Sequence, residues 1–327
     1  MAKKFTLIDL FAGAGGLTWG FYKNNFNIKY TVEFWQPAVD TYNKNFKLDV
    51  TTKDITDQNV IDEIETNWQN KIDLVIGGFP CQGYSMAGKR NPDDPRNQLY
   101  KYTIKVIEKV KPKYFVLENV KGILSFKEKD GSLVIDKIIE ILREKGYYSK
   151  FILLDATNFG VPQKRERVIF IGSSFENKEK VDQIIEKLSN FKTDKPKTVR
   201  EAIEDLENVK ELELFNHIFS KHSNEMIAKI QNTPQGKSVM KKYSDAYFRL
   251  DYDKPSRTVK ENHGGVHVHP KLNRVLTPRE LARLQSFPDD FEFLSSKSNV
   301  LKQIGNAVPP LMSFEIAKIV KRILKNE

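Results

Sequence analysis

The chain has 327 residues, 39% of them hydrophobic and 29% charged, and carries a net charge of +10. That length allows a sizeable core and two domains. The single cysteine excludes an internal disulfide framework, and no apolar run approaches the ~18 residues that span a membrane. The basic start is followed by an apolar stretch that Asp9 interrupts, so no secretory signal is expected. We therefore expect a soluble, cytoplasmic protein with no membrane partner.

The first 172 residues alternate strand and helix patterns. Such alternation predicts an α/β fold with a mostly parallel sheet and helices on both faces. Strands are predicted over residues 5–8, 28–33, 72–79, 113–118, 147–155 and 168–171, and helices over residues 17–24, 36–46 and 132–144.

The alternation of strand and helix patterns ends after about residue 174. The segment 175–213 is charged and helical, and 214–272 is irregular, which predicts a smaller second domain. Residues 221–280 hold twelve Lys and Arg against six Asp and Glu, so this fifth of the chain carries +6 of the net charge. A basic excess confined to one region indicates a polyanionic partner, although many Lys-rich proteins are merely cationic.

A glycine-rich turn follows the first strand. Gly13 and Gly15 fit a dinucleotide fingerprint, but its third glycine position holds Thr18. Glu33 closes the second strand 20 residues after Gly13, the distance at which an acid binds ribose hydroxyls. Asp54 stands where a further strand would end. The ordered set indicates a nucleoside-cofactor pocket, while each acid alone could be an ordinary loop residue.

Cys81 follows the apolar run at 72–79, so its thiol is expected in the crevice beyond the carboxyl ends of the strands. A lone cysteine is more often small, buried and inert. The polar segment 82–96 has little helix or strand tendency, and long loops of this kind are often lids.

Three further features bear on chemistry. Glu118 ends the strand at 113–118 and would share the crevice with Cys81. Gln163, Arg165 and Arg167 alternate, so an extended chain would point all three to one face, where arginines bind anions. The histidines at 263, 267 and 269 are irregularly spaced and have no cysteine beside them, which favours a DNA-facing loop and no metal site.

Five motifs occur in order along the chain: Phe-x-Gly-x-Gly-Gly at 11–16, Gly-Phe-Pro-Cys-Gln at 78–82, Glu-Asn-Val at 118–120, Gln-x-Arg-x-Arg at 163–167 and Gly-Asn-Ala-Val-Pro at 305–309. Together with the segment 274–291, they make the chain resemble the DNA (cytosine-5) methyltransferases. The resemblance spans nearly the whole chain except the variable region at about 175–250.

The resemblance implies S-adenosyl-L-methionine as cofactor, bound on a Rossmann-like methyltransferase sheet. Glu33 would take the ribose hydroxyls, Asp54 and Ile55 the adenine, and Asn306 would belong to the segment that closes the site. The implied cofactor set is Phe11, Gly13, Gly15, Gly16, Glu33, Phe34, Asp54, Ile55, Pro80 and Asn306.

The resemblance also implies cytosine as substrate, flipped out of duplex DNA. Cys81 would add to carbon 6, Glu118 would contact ring nitrogen 3, and Arg165, with Arg167 in the same motif, would hold the carbonyl oxygen of the base or a nearby carboxylate. Candidate DNA contacts are Gln82, Ser85, Arg96, Gln163, Lys237, Lys241, Lys242, Arg249, Arg257 and Lys260.

The expected organisation is a catalytic domain of residues 1–174 plus 298–327, and an irregular target-recognition domain of residues 175–297, with double-stranded DNA in the cleft between them. The family implies a monomeric bacterial modification methyltransferase whose partner endonuclease acts separately. The alternatives are a tRNA cytosine-5 methyltransferase and a catalytically silent DNA-binding module. A nicotinamide oxidoreductase is disfavoured by Thr18.

Overall fold

The computed structural model describes residues 4–80, 94–212, 215–240, 246–261 and 266–325. Its main sheet has six strands in the order β2-β1-β3-β4-β6-β5. Neighbouring strands from β2 to β4 are parallel, whereas β6 is antiparallel to both β4 and β5. The predicted mostly parallel α/β sheet is confirmed. The strands are β1 (Thr6–Leu10), β2 (Asn27–Val32), β3 (Leu74–Gly77), β4 (Tyr114–Val120), β5 (Tyr147–Asp155) and β6 (Glu166–Ser174).

Helices cover both faces of this sheet and continue into the second region of the chain, where a small parallel pair of strands also forms. The helices are α1 (Gly16–Lys23), α2 (Gln36–Phe46), α3 (Gln58–Trp68), α4 (Leu99–Val110), α5 (Val134–Glu144), α6 (Lys178–Ser189), α7 (Val199–Ile203), α8 (Asn224–Gln231), α9 (Pro278–Leu284), α10 (Lys297–Asn306) and α11 (Pro310–Leu324). The small pair is β7 (Phe248–Arg249) and β8 (His267–Val268).

Hydrophobic patterning explains these elements. The side chains of β3 are buried on both faces, as expected for a central parallel strand that reads as a continuous apolar run. In α5, Ile135, Ile138 and Leu142 lie at i, i+3 and i+7 and all point into the core. Burying each of these side chains contributes about 2 kcal/mol. Helices α3, α4 and α5 cover one face, and α1, α6 and α11 cover the other.

The boundary of the second region lies later than the sequence pattern indicates. Val181, Ile184 and Leu188 of α6 are buried in the same core as β6 and α11. The segment 178–189, predicted to open the second domain, therefore belongs to the helix layer of the sheet. Its high charge is misleading, because the charged side chains occupy its outer face. We call residues 192–296 the second region.

The second region is held to the sheet by a third core. Leu250 and Phe291 pack there with Tyr42 and Phe46 of α2. Within it, the N–H of Val199 donates to the carbonyl of Lys254, at 3.0 Å, and the N–H of Arg200 donates to that of Tyr252, at 2.9 Å. These two bonds close the intervening chain into a loop with joined ends.

One predicted strand does not form. The strand that Asp54 was expected to end is absent: residues 48–57 have no strand structure, and Ile55 and Thr56 lie in a turn. The carboxylate of Asp54 instead accepts hydrogen bonds from the N–H and the hydroxyl of Thr56, both at 2.8 Å. An aspartate that bonds the backbone two residues ahead stabilises a turn rather than a ladder. Within the described part of the chain, no helix is long and apolar enough to cross a membrane.

Candidate active site

The glycine turn after β1 is shaped by left-handed backbone, with φ of 54° at Phe11, 55° at Gly13 and 93° at Gly15. A Cβ at Gly15 would collide with the ring of Phe46, and one at Gly16 would collide with the carbonyl of Val308. A Cβ at Gly13 would meet nothing within 4 Å. Two glycines therefore allow close packing, and Gly13 leaves an open space beside the backbone, where a ligand can approach.

Glu33 lies at the end of β2 and joins the glycine turn. Its Oε2 accepts the N–H of Gly13 at 2.8 Å, and its Oε1 accepts the N–H of Trp35 at 2.8 Å. Burial raises the pKa of this carboxyl, and the two backbone donors oppose the shift. The next residue, Phe34, exposes 67% of its surface, so a large apolar ring stands beside a buried acid.

The remaining predicted cofactor residues lie around this turn. The N–H of Lys53 donates to the carbonyl of Glu33, at 2.8 Å, which places exposed Asp54 next to the end of β2. Ile55 is buried in the sheet core. Asn306 is exposed at the end of α10, and the segment after it packs against Gly16. Pro80 is half-buried three residues beyond β3.

Sequence reasoning missed a buried polar network beneath the glycine turn. Asp9 of β1 is 1% exposed and accepts hydrogen bonds from the hydroxyls of Thr18 and Tyr42. The network ties β1 to α1 and α2, the two helices that flank the turn. An acid inside an otherwise apolar strand is the signal that identifies it. Burial raises the pKa of Asp9 to about 7. The hydrogen bonds from Thr18 and Tyr42 lower this pKa, and the negative charge of Glu33 raises it further.

This shift predicts a pH-dependent stability difference for Asp9→Asn. Below pH 3.8 the carboxyl is protonated in both the folded and unfolded chain. As pH rises from there to about 7, the unfolded chain releases the proton and the folded chain keeps it, so Asp9 destabilises the fold progressively. We expect the variant to gain about 1.4 kcal/mol per pH unit relative to the wild type over that window, with no further gain above it. Urea unfolding at pH 5, 6, 7 and 8 measures the difference, and a flat difference contradicts the prediction.

A second cluster forms where β3 and β4 end side by side. A Cβ at Gly78 would lie 3.0 Å from Oε2 of Glu118, so the carboxylate stands next to the backbone three residues before Cys81. The amide Nδ2 of Asn119 donates to the carbonyl of Phe79 at 3.1 Å. This bond holds the end of β4 against the segment that follows β3. Cys81, Gln82 and Ser85 lie outside the described residues.

Arg167 completes this cluster. Its Nε lies 2.7 Å from Oε1 of Glu118, and both side chains are only about one-tenth exposed. Burial raises the pKa of Glu118, and the positive charges of Arg167 and Arg165 oppose that shift. Because β6 is antiparallel to β4, its first residues lie at the edge where β3 and β4 end. That reversal brings an arginine to the carboxylate.

The alternating motif does not point to one face. Arg165 precedes β6, is 2% exposed, and donates from Nη1 to the carbonyl of Val259 and from Nη2 to that of Gly305, both at 2.9 Å. The role expected for it, binding the base or a carboxylate, is therefore not supported by its contacts. Arg165 lies outside the sheet, just before β6 begins. Its guanidinium is bonded to two carbonyls that are distant in sequence.

Two predicted DNA contacts are also interior. Gln163 is fully buried and hydrogen-bonds Gln285, Leu284 and Val259. Arg249 is 9% exposed and donates to four backbone carbonyls, those of Ile230, Thr233, Pro270 and Lys271. These bonds take up four of the five N–H groups, so this guanidinium supports the loops of the second region.

Other candidates do reach the surface. Arg257 is exposed, and its guanidinium lies 3.7 Å from the ring centroid of Phe248. Lys237 is exposed and Lys260 is half-buried. Arg96 is exposed and forms a two-point ion pair with Asp94. Lys241 and Lys242 lie outside the described residues.

His267 and His269 bond to the loops of the second region, and His263 lies outside the described residues. His267 Nε2 lies 3.2 Å from the carbonyl of Arg257, and His269 Nδ1 accepts the N–H groups of Lys271 and Leu272. Among the residues that the structure describes, no group of three or more His, Cys, Asp and Glu could hold a metal ion.

Comparison with known proteins agrees with this geometry. A family model described as C-5 cytosine-specific DNA methylase matches residues 5–322. The chain is 38% identical to the type II methyltransferase M1.HphI of Haemophilus parahaemolyticus, over 98% of this chain and 88% of that protein. It is 32% identical to the type II methyltransferase M.DdeI of Desulfomicrobium norvegicum, over 98% and 89% of the two chains.

Solved structures share the fold. A candidate DNA modification methyltransferase encoded within an E. coli prophage superimposes with a TM-score of 0.79 at 27% identity, over 99% of this chain and all of the other. A Spodoptera frugiperda DNMT2 mutant has a TM-score of 0.64 at 17% identity, over 97% and 100%, and shows likeness of fold alone. A match over nearly the whole chain, to the family model and to full-length relatives, means that this protein belongs to the C-5 cytosine-specific DNA methylase family.

Proposed function

We propose that this enzyme transfers a methyl group from S-adenosyl-L-methionine to carbon 5 of a flipped-out cytosine in a specific short duplex sequence, as the modification half of a type II restriction-modification system. The observation that carries the proposal is the grouping at one edge of the sheet. Glu118 and Arg167 stand beside the backbone that leads to Cys81, and Gly13 and Glu33 stand at the ends of the neighbouring strands.

The residues around the glycine turn fit the proposed cofactor. The open space at Gly13 suits a polar chain against the backbone, Glu33 has lone pairs for ribose hydroxyls, and exposed Phe34 offers a ring face to the adenine. Asp54 and Ile55 would contact the other side of the base. Phe11, Pro80 and Asn306 complete the proposed set. When bound, S-adenosyl-L-methionine supplies an electrophilic methyl group.

Glu33→Gln tests the cofactor site. Replacing a charged acceptor of ribose hydroxyls with an amide removes about 1.5–3 kcal/mol of binding free energy. We therefore expect the dissociation constant for S-adenosyl-L-methionine to rise about 10- to 150-fold, measured by isothermal titration calorimetry. Glu65→Gln on α3, whose carboxylate pairs with Lys109 at the surface, is the control and should bind as the wild type does. Equal affinity in the two variants would remove Glu33 from the site.

In the proposed reaction, the thiolate of Cys81 bonds to carbon 6 of cytosine. Carbon 5 of the free base is a poor nucleophile, and this addition converts the ring into an enamine whose carbon 5 can attack the methyl group. The methyl carbon bonds to carbon 5 as its bond to sulfur breaks. A base, for which water is sufficient, then removes the carbon-5 proton, and the electron pair re-forms the ring double bond as the thiolate leaves.

Glu118 and Arg167 act on the same ring. Addition at carbon 6 places negative charge on nitrogen 3, where a proton or hydrogen bond from Glu118 would stabilise it. The pKa of Glu118, raised by burial, favours the protonated donor. Arg167 lies against that carboxylate, and its remaining N–H groups can hold the carbonyl oxygen of the base. We assign to Arg167 the contact that the sequence pattern had suggested for Arg165.

DNA binding is proposed for the basic second region and for the segment after Cys81. Extracting a base from the stack costs a few kcal/mol, which contacts to the opened duplex must offset. Arg96, Lys237, Arg257 and Lys260 remain candidates, together with Gln82, Ser85, Lys241 and Lys242. The stacked guanidinium of Arg257 is oriented by Phe248 and presents a fixed fork to a phosphate or guanine. We further propose that the enzyme is a cytoplasmic monomer and that its endonuclease acts separately.

One experiment tests the reaction and its substrate. The purified protein is incubated with tritiated S-adenosyl-L-methionine and either bacterial DNA or tRNA, and DNA from expressing cells is sequenced after bisulfite treatment. We expect label in DNA alone, with protected cytosines in one short sequence context. Label in tRNA alone would replace the proposal with the RNA alternative, and methylated adenine would overturn it.

A further inference from the structure

Two buried side chains ahead of β6 connect segments that are far apart in sequence. Arg165 donates one N–H to the carbonyl of Val259 and another to that of Gly305, each at 2.9 Å. Gln163 accepts the N–H of Val259 at 2.8 Å and donates to Gln285 at 2.8 Å. Gln285 in turn donates to the carbonyl of Ile304 at 2.6 Å. We call residues 259–261 and 304–308, with Arg165 and Gln163, the seam.

The backbones within the seam touch directly. A Cβ at Gly305 would collide with the backbone of Lys260 and Glu261, and a Cβ at Gly16 would collide with the carbonyl of Val308. Arg257, on the surface of the second region, stands two residues before Val259. The seam therefore runs without a gap from a proposed DNA-facing segment to the glycine turn of the proposed cofactor site.

We propose that Arg165 is a positioning residue that couples the binding of DNA to the binding of the cofactor through the seam. This inference rests on the proposed function, since it takes both ligands as given. DNA held at residues 257–260 fixes the carbonyl of Val259, and the guanidinium transmits that constraint to Gly305 and the turn behind it. A ligand that holds the seam in one arrangement favours the arrangement that the other ligand needs, so the second binds more tightly.

Arginine is the residue that this geometry requires. Its planar fork reaches two carbonyls on separate segments at once, and the positive charge strengthens both bonds. Lysine has a single ammonium nitrogen and cannot hold both carbonyls in the same geometry. Arg165→Lys keeps the charge near Glu118 and removes the bridge between the two carbonyls, so it separates positioning from electrostatics.

The test measures the affinity for S-adenosylhomocysteine by calorimetry, with and without a duplex containing the target found by bisulfite sequencing. For the wild type we expect at least about five-fold tighter binding when DNA is present, within the 5- to 150-fold range of coupled sites. For Arg165→Lys we expect this ratio to fall to within two-fold of unity. In the wild type, either ligand should slow amide hydrogen exchange of both residues 256–261 and residues 304–308. In the variant, each ligand should slow exchange only in the stretch next to its own site.

Two matched variants separate coupling from general loss of stability. Arg279 is also fully buried and bonded to backbone carbonyls, those of Phe215, Pro288 and Phe291, so Arg279→Lys inflicts similar damage away from the seam. It should keep the wild-type ratio. Gly305→Ala forces the two backbones of the seam apart and displaces the carbonyl that Arg165 holds, while the arginine itself is unchanged, and it should lose the ratio as Arg165→Lys does. It serves as the test should Arg165→Lys fail to fold.

The outcomes are distinct. A wild-type protein that binds no S-adenosylhomocysteine contradicts the proposed function. A wild type that binds both ligands without coupling overturns the role of the seam. Wild-type coupling that survives both Arg165→Lys and Gly305→Ala, or is lost equally in Arg279→Lys, removes Arg165 as the positioning residue.

Discussion

Cys81→Ala is expected to lower methyl transfer by at least about 10⁴-fold, the scale seen when a covalent nucleophile is removed, while the protein still binds duplex DNA. Without the thiolate, carbon 5 of cytosine is not activated toward the methyl donor. Binding persists because the basic second region and the cofactor site are unchanged. Incorporation of tritiated methyl groups measures the reaction, and gel-shift titration measures binding. Activity near that of the wild type would remove the cysteine from the mechanism.

A trapping experiment distinguishes covalent chemistry from simple contact. Fluorine at carbon 5 of cytosine cannot leave as a proton does, so the wild type should form an adduct with fluorinated duplex that resists denaturation. Cys81→Ala should form none. Because the chain has one cysteine, the adduct and any thiol alkylation map to a single position. An active enzyme that forms no adduct would exclude addition and elimination at carbon 6.

Glu118→Gln is expected to lower kcat by about 10²- to 10⁴-fold, the usual contribution of a positioned proton donor. Glutamine has nearly the same shape and can still donate a hydrogen bond to nitrogen 3, but it cannot transfer a proton. The dissociation constant for S-adenosyl-L-methionine should stay within about two-fold of the wild-type value, since the proposed cofactor residues lie around the glycine turn after β1. Single-turnover kinetics with saturating DNA measures the chemical step directly.

The pH dependence of kcat adds a second readout. The protonated carboxyl is the donor, so kcat should fall as pH rises through the pKa of Glu118, and burial places that fall at higher pH than for an ordinary glutamate. Glu118→Gln should lack this limb. The charge of Arg167 lowers the same pKa, so Arg167→Met should move the limb upward while also reducing kcat.

Lys121→Ala is the control for these variants. Lys121 pairs with Glu166, the residue just before Arg167, and both are well exposed. An exposed pair contributes at most about 1 kcal/mol to stability. Its loss should leave kcat and the pH profile unchanged. A fall in kcat comparable to that of Glu118→Gln would show that any disturbance at the start of β6 impairs catalysis.

Much of the large domain could be predicted from sequence, because its information is local. The strands at 113–118 and 147–155, and the helices at 36–46 and 132–144, show periodicities that the structure reproduces within two residues at most ends. The prediction that α6 belongs to the second domain is wrong, because α6 packs on the sheet of the large domain. Its charged face dominates the composition, and the three residues that bury it against the sheet are visible only as a spacing.

The site shows the same division. Glu33 and Glu118 were predicted from their place at strand ends, and both lie at the carboxyl edge of the sheet. Arg165 was misjudged because its partners, Val259 and Gly305, are 94 and 140 residues away. Alternation along the five residues 163–167 cannot reveal a contact with segments that come so much later in the chain. The Asp9 network was missed for a similar reason, since Tyr42 comes from another helix.

The loop between residues 200 and 252, whose ends are joined, has a consequence for how such enzymes diversify. Hydrogen bonds from Val199 and Arg200 to the segment 252–254 hold the two ends of that loop together, and Leu250 anchors one side in the third core. Chain length between fixed ends can vary at small entropic cost, about 0.6 kcal/mol per doubling. A lineage can therefore exchange the enclosed segment as an interchangeable cassette. Under the proposed assignment of DNA contacts to this segment, the exchange would also change the target sequence. The inherited chemistry on the sheet would not have to evolve again.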